Sequence, residues 1–207
     1  MPRINYGEGN FIEYHIRDCI DGMREMEDDC VDLVLTDPPY GINIANNPFR
    51  QKFEKDSWDE NIPTDEYFNE IFRISKNQII FGGNYFKLPP SQGFIIWDKG
   101  QPENFSSSMC EYAWMSFQSP AKLFRYRVII ETKLHCTQKP IPLFVWILEK
   151  YSKRGDLICD PFLGSGTTLK ACRRTGRNGI GFEINPEYEP VILERIRAKD
   201  ASIESFF

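Results

Sequence analysis

The sequence predicts an α/β fold with a mostly parallel sheet, and three observations support this prediction. Short apolar segments alternate with amphipathic segments of helical period along all 207 residues. Several apolar segments run directly into Asp, Gly or Pro, which are typical of the loop after a buried strand. No repeat, low-complexity stretch or linker interrupts the alternation. We therefore expect a single domain over residues 1–207.

The apolar pattern places the elements in order along the chain. Strands are predicted at residues 13–18, 31–36, 78–81, 93–98, 110–117, 124–131, 157–159 and 179–184. Helices are predicted at residues 19–27, 64–75, 84–88, 142–153, 168–174 and 186–199. The strands at 110–117 and 124–131 are expected to form a hairpin at the sheet edge. Residues 41–63 have no period and mix charged with aromatic side chains, so we expect a mobile substrate loop.

Composition narrows the class of protein. The apolar fraction of 41% is ordinary for a soluble globular protein, and no segment has the length of a membrane span. The first residues are not those of a signal peptide, and six cysteines without a C-x-x-C pair argue against a zinc or redox motif. We expect a cytoplasmic protein with reduced thiols. The net charge of −5 requires any polyanion site to be a local basic patch.

A rigid polar tetrapeptide, Asp37-Pro38-Pro39-Tyr40, follows the apolar strand at residues 31–36. Two prolines remove two backbone donors and fix two φ angles. A carboxylate, an unpaired carbonyl and an aromatic ring are thereby held beyond the carboxyl end of a strand, where open α/β sheets bind ligands. The alternative is a proline-stiffened turn without a ligand.

A second polar segment, Asp-Pro-Phe-Leu-Gly-Ser-Gly-Thr-Thr, covers residues 160–168 between a strand and a helix. It lacks the lysine of a P-loop and the spacing of a dinucleotide fingerprint, so a phosphate cradle is weakly supported. A nucleoside-type site is favoured, in which Asp160 accepts from a cationic amino group. Glu183 ends the next strand and is placed as the usual acceptor for ribose hydroxyls.

These motifs resemble those of the S-adenosylmethionine-dependent amino-methyltransferases of DNA. The third motif is His135-Cys136-Thr137-Gln138-Lys139-Pro140, just ahead of the glycine segment. The tetrapeptide precedes the glycine segment, an order similar to that of the circularly permuted β group. The likeness runs from about Asp18 to Glu189. Cys136 departs from the family, which usually has proline there.

The resemblance implies a single-domain, Rossmann-like methyltransferase fold that is circularly permuted. It implies a mostly parallel seven-stranded sheet with an antiparallel edge hairpin. Residues 157–159 would be the first strand of that sheet and 179–184 the second. Residues 13–18 would be the third and 31–36 the fourth.

The resemblance also implies methylation of the N6 amino group of adenine in DNA by direct in-line displacement on a flipped base. The catalytic residues would be Asp37, Pro38, Pro39 and Tyr40, with Tyr40 stacking on the extruded ring. The cofactor would be S-adenosylmethionine, released as S-adenosylhomocysteine, with no metal. Its implied contacts are Asp18, His135, Thr137, Lys139, Asp160, Phe162, Gly164, Ser165, Gly166, Thr167, Thr168 and Glu183. For Asp18 the alternative is the N-cap of the helix at 19–27.

The basic residues suited to DNA phosphates lie in two stretches. They are Arg50, Lys52, Lys122, Arg125, Arg127 and Lys133. No room remains for a separate target-recognition domain, so the 41–63 loop or a second subunit would supply specificity. A homodimer and a restriction or specificity partner are both compatible with the sequence, and a membrane partner is not expected.

Several alternatives remain open beside the reaction that the resemblance implies. Cytosine N4 methylation is less favoured because those enzymes more often begin the tetrapeptide with serine. An RNA adenine substrate fits the same tetrapeptide. A non-catalytic binding subunit and a methyltransferase for proteins or small molecules are the other two hypotheses.

Overall fold

One sheet with helices on both faces organises the described part of the chain. A computed structural model describes residues 3–7, 9–42, 62–102, 108–127 and 139–198. Its strands are β1 (Arg3–Tyr6), β2 (Asn10–Ile16), β3 (Leu33–Thr36), β4 (Gln78–Phe81), β5 (Phe94–Asp98), β6 (Cys110–Met115), β7 (Lys122–Arg125), β8 (Leu157–Asp160) and β9 (Asn178–Glu183). Its α-helices are α1 (Cys19–Arg24), α2 (Asp65–Ile74), α3 (Ile141–Tyr151), α4 (Thr167–Thr175) and α5 (Glu189–Arg197).

The sheet is mixed and mostly parallel. Its strand order is β1-β2-β9-β8-β3-β4-β6-β5-β7. The five strands from β2 to β4 in this order are parallel, and β7 is parallel to β5. The antiparallel pairs are β1 with β2, and β6 with each of β4 and β5. The predicted α/β class with a mostly parallel sheet is therefore confirmed.

The expected count of seven strands and the expected edge hairpin differ from the sheet that the described residues form. That sheet has nine strands, including β1, a short and half-exposed segment whose pattern gave no sequence signal. Strand β6 lies between β4 and β5, and β7 pairs in parallel with β5 instead of forming a hairpin with β6. The reason is burial, since Ala113, Trp114 and Met115 make β6 an interior strand. Residues 128–131 of the predicted last hairpin strand lie outside the described residues.

Two apolar layers hold the helices against the sheet. Along β3, Leu33 and Leu35 face the layer that contains α3, α4 and α5, while Val34 faces the layer that contains α1 and α2. This alternation is the two-residue period of a strand buried on both faces. Each fully buried Leu or Val contributes about 1.5–3 kcal/mol to stability. The central strands are thus fixed from both sides.

The helices are short, and residues near their ends, such as proline, determine where they begin and end. The segment predicted as a helix at 84–88 is a single 3-10 turn, Gly83–Tyr85, since Pro89 and Pro90 follow closely. The last predicted helix begins as a 3-10 turn, Pro186–Tyr188, and continues as α5. Among the described residues, no helix combines the length and apolar character needed to cross a bilayer.

Candidate active site

The two polar motifs are brought together by neighbouring parallel strands. Strand β3 pairs with β8 in a register that sets Val34 opposite Cys159. Their carboxyl ends therefore meet at one edge of the sheet, where β3 leads into Asp37 and β8 ends at Asp160. The Thr36 hydroxyl donates a hydrogen bond of 2.7 Å to Asp160 Oδ1. This bond joins motifs 124 residues apart in the chain.

The carboxylate of Asp37 is held by two donors. Lys139 Nζ donates to Asp37 Oδ2, and the Tyr40 hydroxyl donates to Oδ1. Lys139 Nζ also lies 3.4 Å from the Tyr40 hydroxyl. Burial raises the pKa of Asp37, and the Lys139 ammonium opposes that rise. Lys139, predicted as a cofactor contact, is thus placed beside the tetrapeptide.

The other contacts of Lys139 extend the charged cluster. Lys139 is only 6% exposed, and its ammonium lies 2.9 Å from Glu111 Oε2. Burial acts to lower the pKa of Lys139, but Asp37 and Glu111 outweigh it and raise that pKa above its ordinary value. Glu111 in turn pairs with Lys99 Nζ at 2.7 Å. Neither Glu111 nor Lys99 was predicted, since only the folded sheet brings them to Asp37.

The ring of Tyr40 lies in an aromatic wall. It stacks on Tyr85 with centroids 4.9 Å apart and an interplanar angle of 11°, and Phe86 is tilted at 6.2 Å. The backbone of Gly82 approaches the same ring, because a Cβ atom there would lie 2.1 Å from Tyr40 Cε1. Gly82 also has φ +68°, a conformation that L side chains rarely adopt.

We expect Gly82→Ala to lower the free energy of unfolding by about 1–3 kcal/mol, because the methyl group must displace the Tyr40 ring. Urea denaturation measures this change. Gly155→Ala is a matched control, since Gly155 has φ +85° but no atom lies within 4 Å of the position that its methyl group would take. Equal losses in the two variants would contradict a role for Gly82 in seating Tyr40.

The carboxylate of Asp160 is buried and fully engaged with the protein around it. Besides Thr36, it accepts from the amide of Phe162 at 3.1 Å and from the hydroxyl of Thr168. Asp160 is 3% exposed, and burial raises its pKa to about 6. Asp160 therefore ties β3, β8 and the start of α4 together.

The glycine turn before α4 is braced by the end of β9. Gly164 and Gly166 have φ of +53° and +83°, so the turn depends on residues without a Cβ atom. The amides of Gly164 and Asn185 each donate to Glu183 at 2.8 Å. Leu163 N also donates to Phe182 O at 2.8 Å. The Glu183 carboxylate is thus oriented at the turn, at the carboxyl end of its strand.

Two predicted cofactor residues, Ser165 and Thr167, accept hydrogen bonds from a side chain of α5. Arg195 Nη1 donates to Ser165 Oγ at 2.5 Å and to Thr167 Oγ1 at 3.0 Å. Arg195 is 6% exposed, and burial lowers its pKa to about 10. The hydroxyls of Ser165 and Thr167 therefore connect the turn to α5. Sequence reasoning missed Arg195 because it lies in an ordinary amphipathic helix.

Asp18 occupies the N-cap position of α1. Its Oδ1 accepts from Ile20 N at 2.9 Å, and its Oδ2 accepts from the Tyr67 hydroxyl at 3.0 Å. The capping alternative drawn from the sequence is thus what the structure shows, while a cofactor contact stays a prediction. Tyr67 also packs on Phe162 with ring centroids 5.9 Å apart, which places Asp18 near the glycine turn. Tyr67 was not predicted as a site residue.

The predicted DNA contacts are described only in part. Lys122 is half-buried, and Arg125 and Arg127 are exposed at the β7 edge of the sheet. Arg125 Nε pairs with Asp98 at 3.1 Å, which reduces the charge of this edge. Outside the described residues lie Arg50, Lys52, Lys133, His135, Thr137 and most of the 41–63 loop.

Comparison with known proteins gives a consistent set of matches. A family described as DNA methylase, of the N6/N4 methyltransferase type, matches residues 96–194. The type II methyltransferase M.HpaI of Haemophilus parainfluenzae is 24% identical over 90% of this chain and 74% of its own length. The solved complex of M1.HpyAVI with SAM has a TM-score of 0.61 and 20% identity, covering 90% of this chain and all of that one. The PvuII DNA methyltransferase, described as cytosine-N4-specific, has a TM-score of 0.65 and 16% identity, covering 93% of this chain and 89% of that one.

The solved structures are too distant in sequence to show more than the fold, and the fold they share is that of class I methyltransferases. The family match covers the strand β8, the glycine turn and Glu183. The tetrapeptide lies outside the matched segment but is bonded to it through Thr36 and Asp160. The resemblance drawn from the motifs is confirmed, since the N6/N4 DNA methylase family matches residues 96–194 and the similarity to M.HpaI extends over 90% of this chain.

Proposed function

We propose that this protein transfers a methyl group from S-adenosylmethionine to the N6 amino group of adenine in DNA. One observation carries the proposal. The Thr36–Asp160 hydrogen bond fixes the acidic tetrapeptide beside the glycine turn, at the same edge of the sheet. A site for the reacting amino group and a site for a nucleoside-type cofactor are then neighbours, which a direct transfer requires.

The residues around the glycine turn fit an adenosine-containing cofactor. The positive φ angles of Gly164 and Gly166 allow a ligand to approach the backbone closely. Glu183 is oriented by two amide donors and is suited to accept from ribose hydroxyls. Phe162 and Tyr67 offer aromatic faces, and Asp18 lies beside Tyr67 as an acceptor for an adenine amino group. When bound, S-adenosylmethionine would supply the methyl group as an electrophile.

The chain's own contribution to the reaction is positioning and electrostatics. The lone pair of an exocyclic amino nitrogen is delocalised into the ring, so it is a weak nucleophile. The Asp37 carboxylate and the Pro38 carbonyl would accept its two hydrogens and hold the nitrogen in a tetrahedral arrangement. As the new N–C bond forms and the S–C bond to the methyl group breaks, the nitrogen would gain positive charge. The Asp37 carboxylate would stabilise that charge until one proton leaves to solvent.

The target base must leave the duplex to reach this site. Its extrusion costs a few kcal/mol, and stacking on an aromatic ring returns about 1–3 kcal/mol per base. Tyr40, one residue beyond the prolines, is proposed as the stacking partner, with Tyr85 supporting its ring at 4.9 Å. Lys122 and Arg127 are proposed to contact phosphate oxygens, which makes binding strongly dependent on salt.

Adenine is proposed over cytosine because the tetrapeptide begins with Asp37 where cytosine-N4 enzymes more often have serine. One observation favours the second candidate, cytosine N4. The PvuII enzyme, which is described as cytosine-N4-specific, has the same fold with a TM-score of 0.65. Both reactions use the same acceptor pair for an exocyclic amino group, so the product base distinguishes them.

We further propose that the fold is circularly permuted and that residues 1–207 form one catalytic domain. The strand order supports the permutation, because β2 and β9 lie on one side of β8 and β3 lies on the other. Specificity would then come from the 41–63 segment, from a second copy or from a specificity partner. A restriction enzyme is a proposed companion, as the M.HpaI relative is a type II methyltransferase.

The test is the incubation of the purified protein with tritiated S-adenosylmethionine and unmethylated duplex DNA, single-stranded DNA or RNA in separate reactions. Digestion and separation of the nucleosides identifies the product. We expect N6-methyladenine in DNA, lost in the Asp37→Ala variant. N4-methylcytosine would overturn the base assignment alone, and labelled RNA would overturn the substrate. Failure to bind the cofactor would exclude the enzyme.

A further inference from the structure

Four side chains of alternating charge run from the tetrapeptide across the sheet. Asp37 contacts Lys139, Lys139 contacts Glu111 at 2.9 Å, and Glu111 contacts Lys99 at 2.7 Å. The four residues belong to separate parts of the chain, with Glu111 on β6 and Lys99 directly after β5. All four side chains are largely buried, with exposed fractions from 6% for Lys139 to 23% for Asp37. We call this row of ion pairs the charged line, defined as Asp37, Lys139, Glu111 and Lys99.

Glu111 is held ionised within this line. Burial works to raise its pKa, but Lys139 and Lys99 outweigh burial and hold the pKa at about 2. A second negative charge therefore lies beside Lys139, in addition to that of Asp37. Since one ammonium then forms ion pairs with two carboxylates, its charge is shared between them.

This division matters for the charge that Asp37 must stabilise. If the Lys139 ammonium were bound to Asp37 alone, it would occupy lone pairs of the Asp37 carboxylate. It would also repel the positive charge that develops on the amino nitrogen of the substrate. The second carboxylate, Glu111, shares the ammonium and offsets part of its electric field. Asp37 can then still accept a hydrogen bond from a substrate amino group.

We infer that Glu111 is a positioning residue for methyl transfer, which acts through Lys139 to keep the Asp37 carboxylate available to the amino group of the target base. The inference deepens the proposed function and rests on it. Lys99 orients Glu111 from the other side and has a smaller role in the same line.

The test is Glu111→Gln, which keeps the shape of the side chain and removes its charge. We expect kcat to fall by about 10- to 100-fold, as for the loss of a charge-assisted contact. The dissociation constants for cofactor and DNA, measured by calorimetry, should stay within about twofold of the wild type, because Glu111 is not among the residues proposed to bind either of them.

The pH profile separates positioning from a merely structural role. Among the described residues, the charged groups that interact with Asp37 include Lys139, Glu111 and Asp160, with the Tyr40 hydroxyl as a further donor. Glu111 raises the pKa of Asp37, so its removal should move the acid limb of the kcat profile to lower pH. Lys99→Met should shift the profile less and lower kcat only a few-fold.

Glu25→Gln is the matched control, because Glu25 is an exposed carboxylate paired with Arg17 at 2.6 Å. It should leave kcat and the profile unchanged. An unchanged kcat in Glu111→Gln would overturn the inference, as would a lower kcat with a fixed acid limb and a lower melting temperature. If the wild-type protein binds the cofactor but transfers no methyl group, the proposed function is overturned. The inference, which rests on that function, is then overturned as well.

Discussion

Replacing Asp37 by asparagine should lower the single-turnover rate of methyl transfer by about 100- to 1,000-fold. The amide keeps the size of the side chain but loses the negative charge that stabilises the developing positive charge on nitrogen. It also presents an NH₂ group, which cannot accept from the amino group of the base. The fold should persist, because Lys139 keeps its ion pair with Glu111 at 2.9 Å.

The measurement is a rapid-quench assay at saturating cofactor and DNA, with cofactor affinity determined separately by calorimetry. Asp28→Asn serves as the matched control, because Asp28 is an exposed carboxylate paired with Arg73 at 2.6 Å. The control should retain the full rate. An Asp37→Asn variant that transfers at more than a tenth of the wild-type rate would refute the role of the charge.

Asp160 should make the folded state less stable as pH rises. Its folded pKa of about 6 lies above the ordinary value of 3.8, because burial disfavours the ionised form. The folded state therefore binds more protons than the unfolded state between these values. The stabilisation is fully present below the lower value and is lost as pH rises through the higher one. The change amounts to about 2 kcal/mol between pH 4.5 and 7.5.

Asp160→Asn isolates this contribution, since an amide can still accept from Thr36 and donate to the Thr168 hydroxyl. Urea denaturation at several pH values gives the unfolding free energy of each protein. The stability of the variant relative to the wild type should increase by about 2 kcal/mol from pH 4.5 to 7.5. A difference that stays constant over this range would show that Asp160 titrates at its ordinary pKa.

The central strands were predictable because their signals are local. Leu33–Thr36 and Leu157–Asp160 are apolar, short and closely followed by Pro, so the sequence marks both the strand and its end. The pairing of β6 with β4 and β5 was not predictable, because strand order depends on burial of whole faces and not on adjacent residues. β1 was missed since alternate residues of a half-exposed edge strand resemble a loop.

The carboxylates of the candidate site could be predicted from the sequence, but the residues that position them could not. Motif order identified Asp37, Asp160 and Glu183, which lie at the ends of strands. Glu111, Tyr67 and Arg195 belong to no recognisable motif. Each is connected to the candidate site by a tertiary contact with a predicted site residue. Asp18 shows the limit most clearly, because the same carboxylate suits a helix cap and a ligand contact.

The pairing of β3 with β8 has a consequence for how such a protein is altered by insertion or exchange of segments. The spacing between the two motifs is fixed by sheet register, with Val34 opposite Cys159, and one inserted residue in either strand would reverse which side chains face each layer. Connections between strands carry no such constraint. Changes of target preference are therefore expected to arise by replacing connecting segments, while the chemistry is inherited unchanged with the strands.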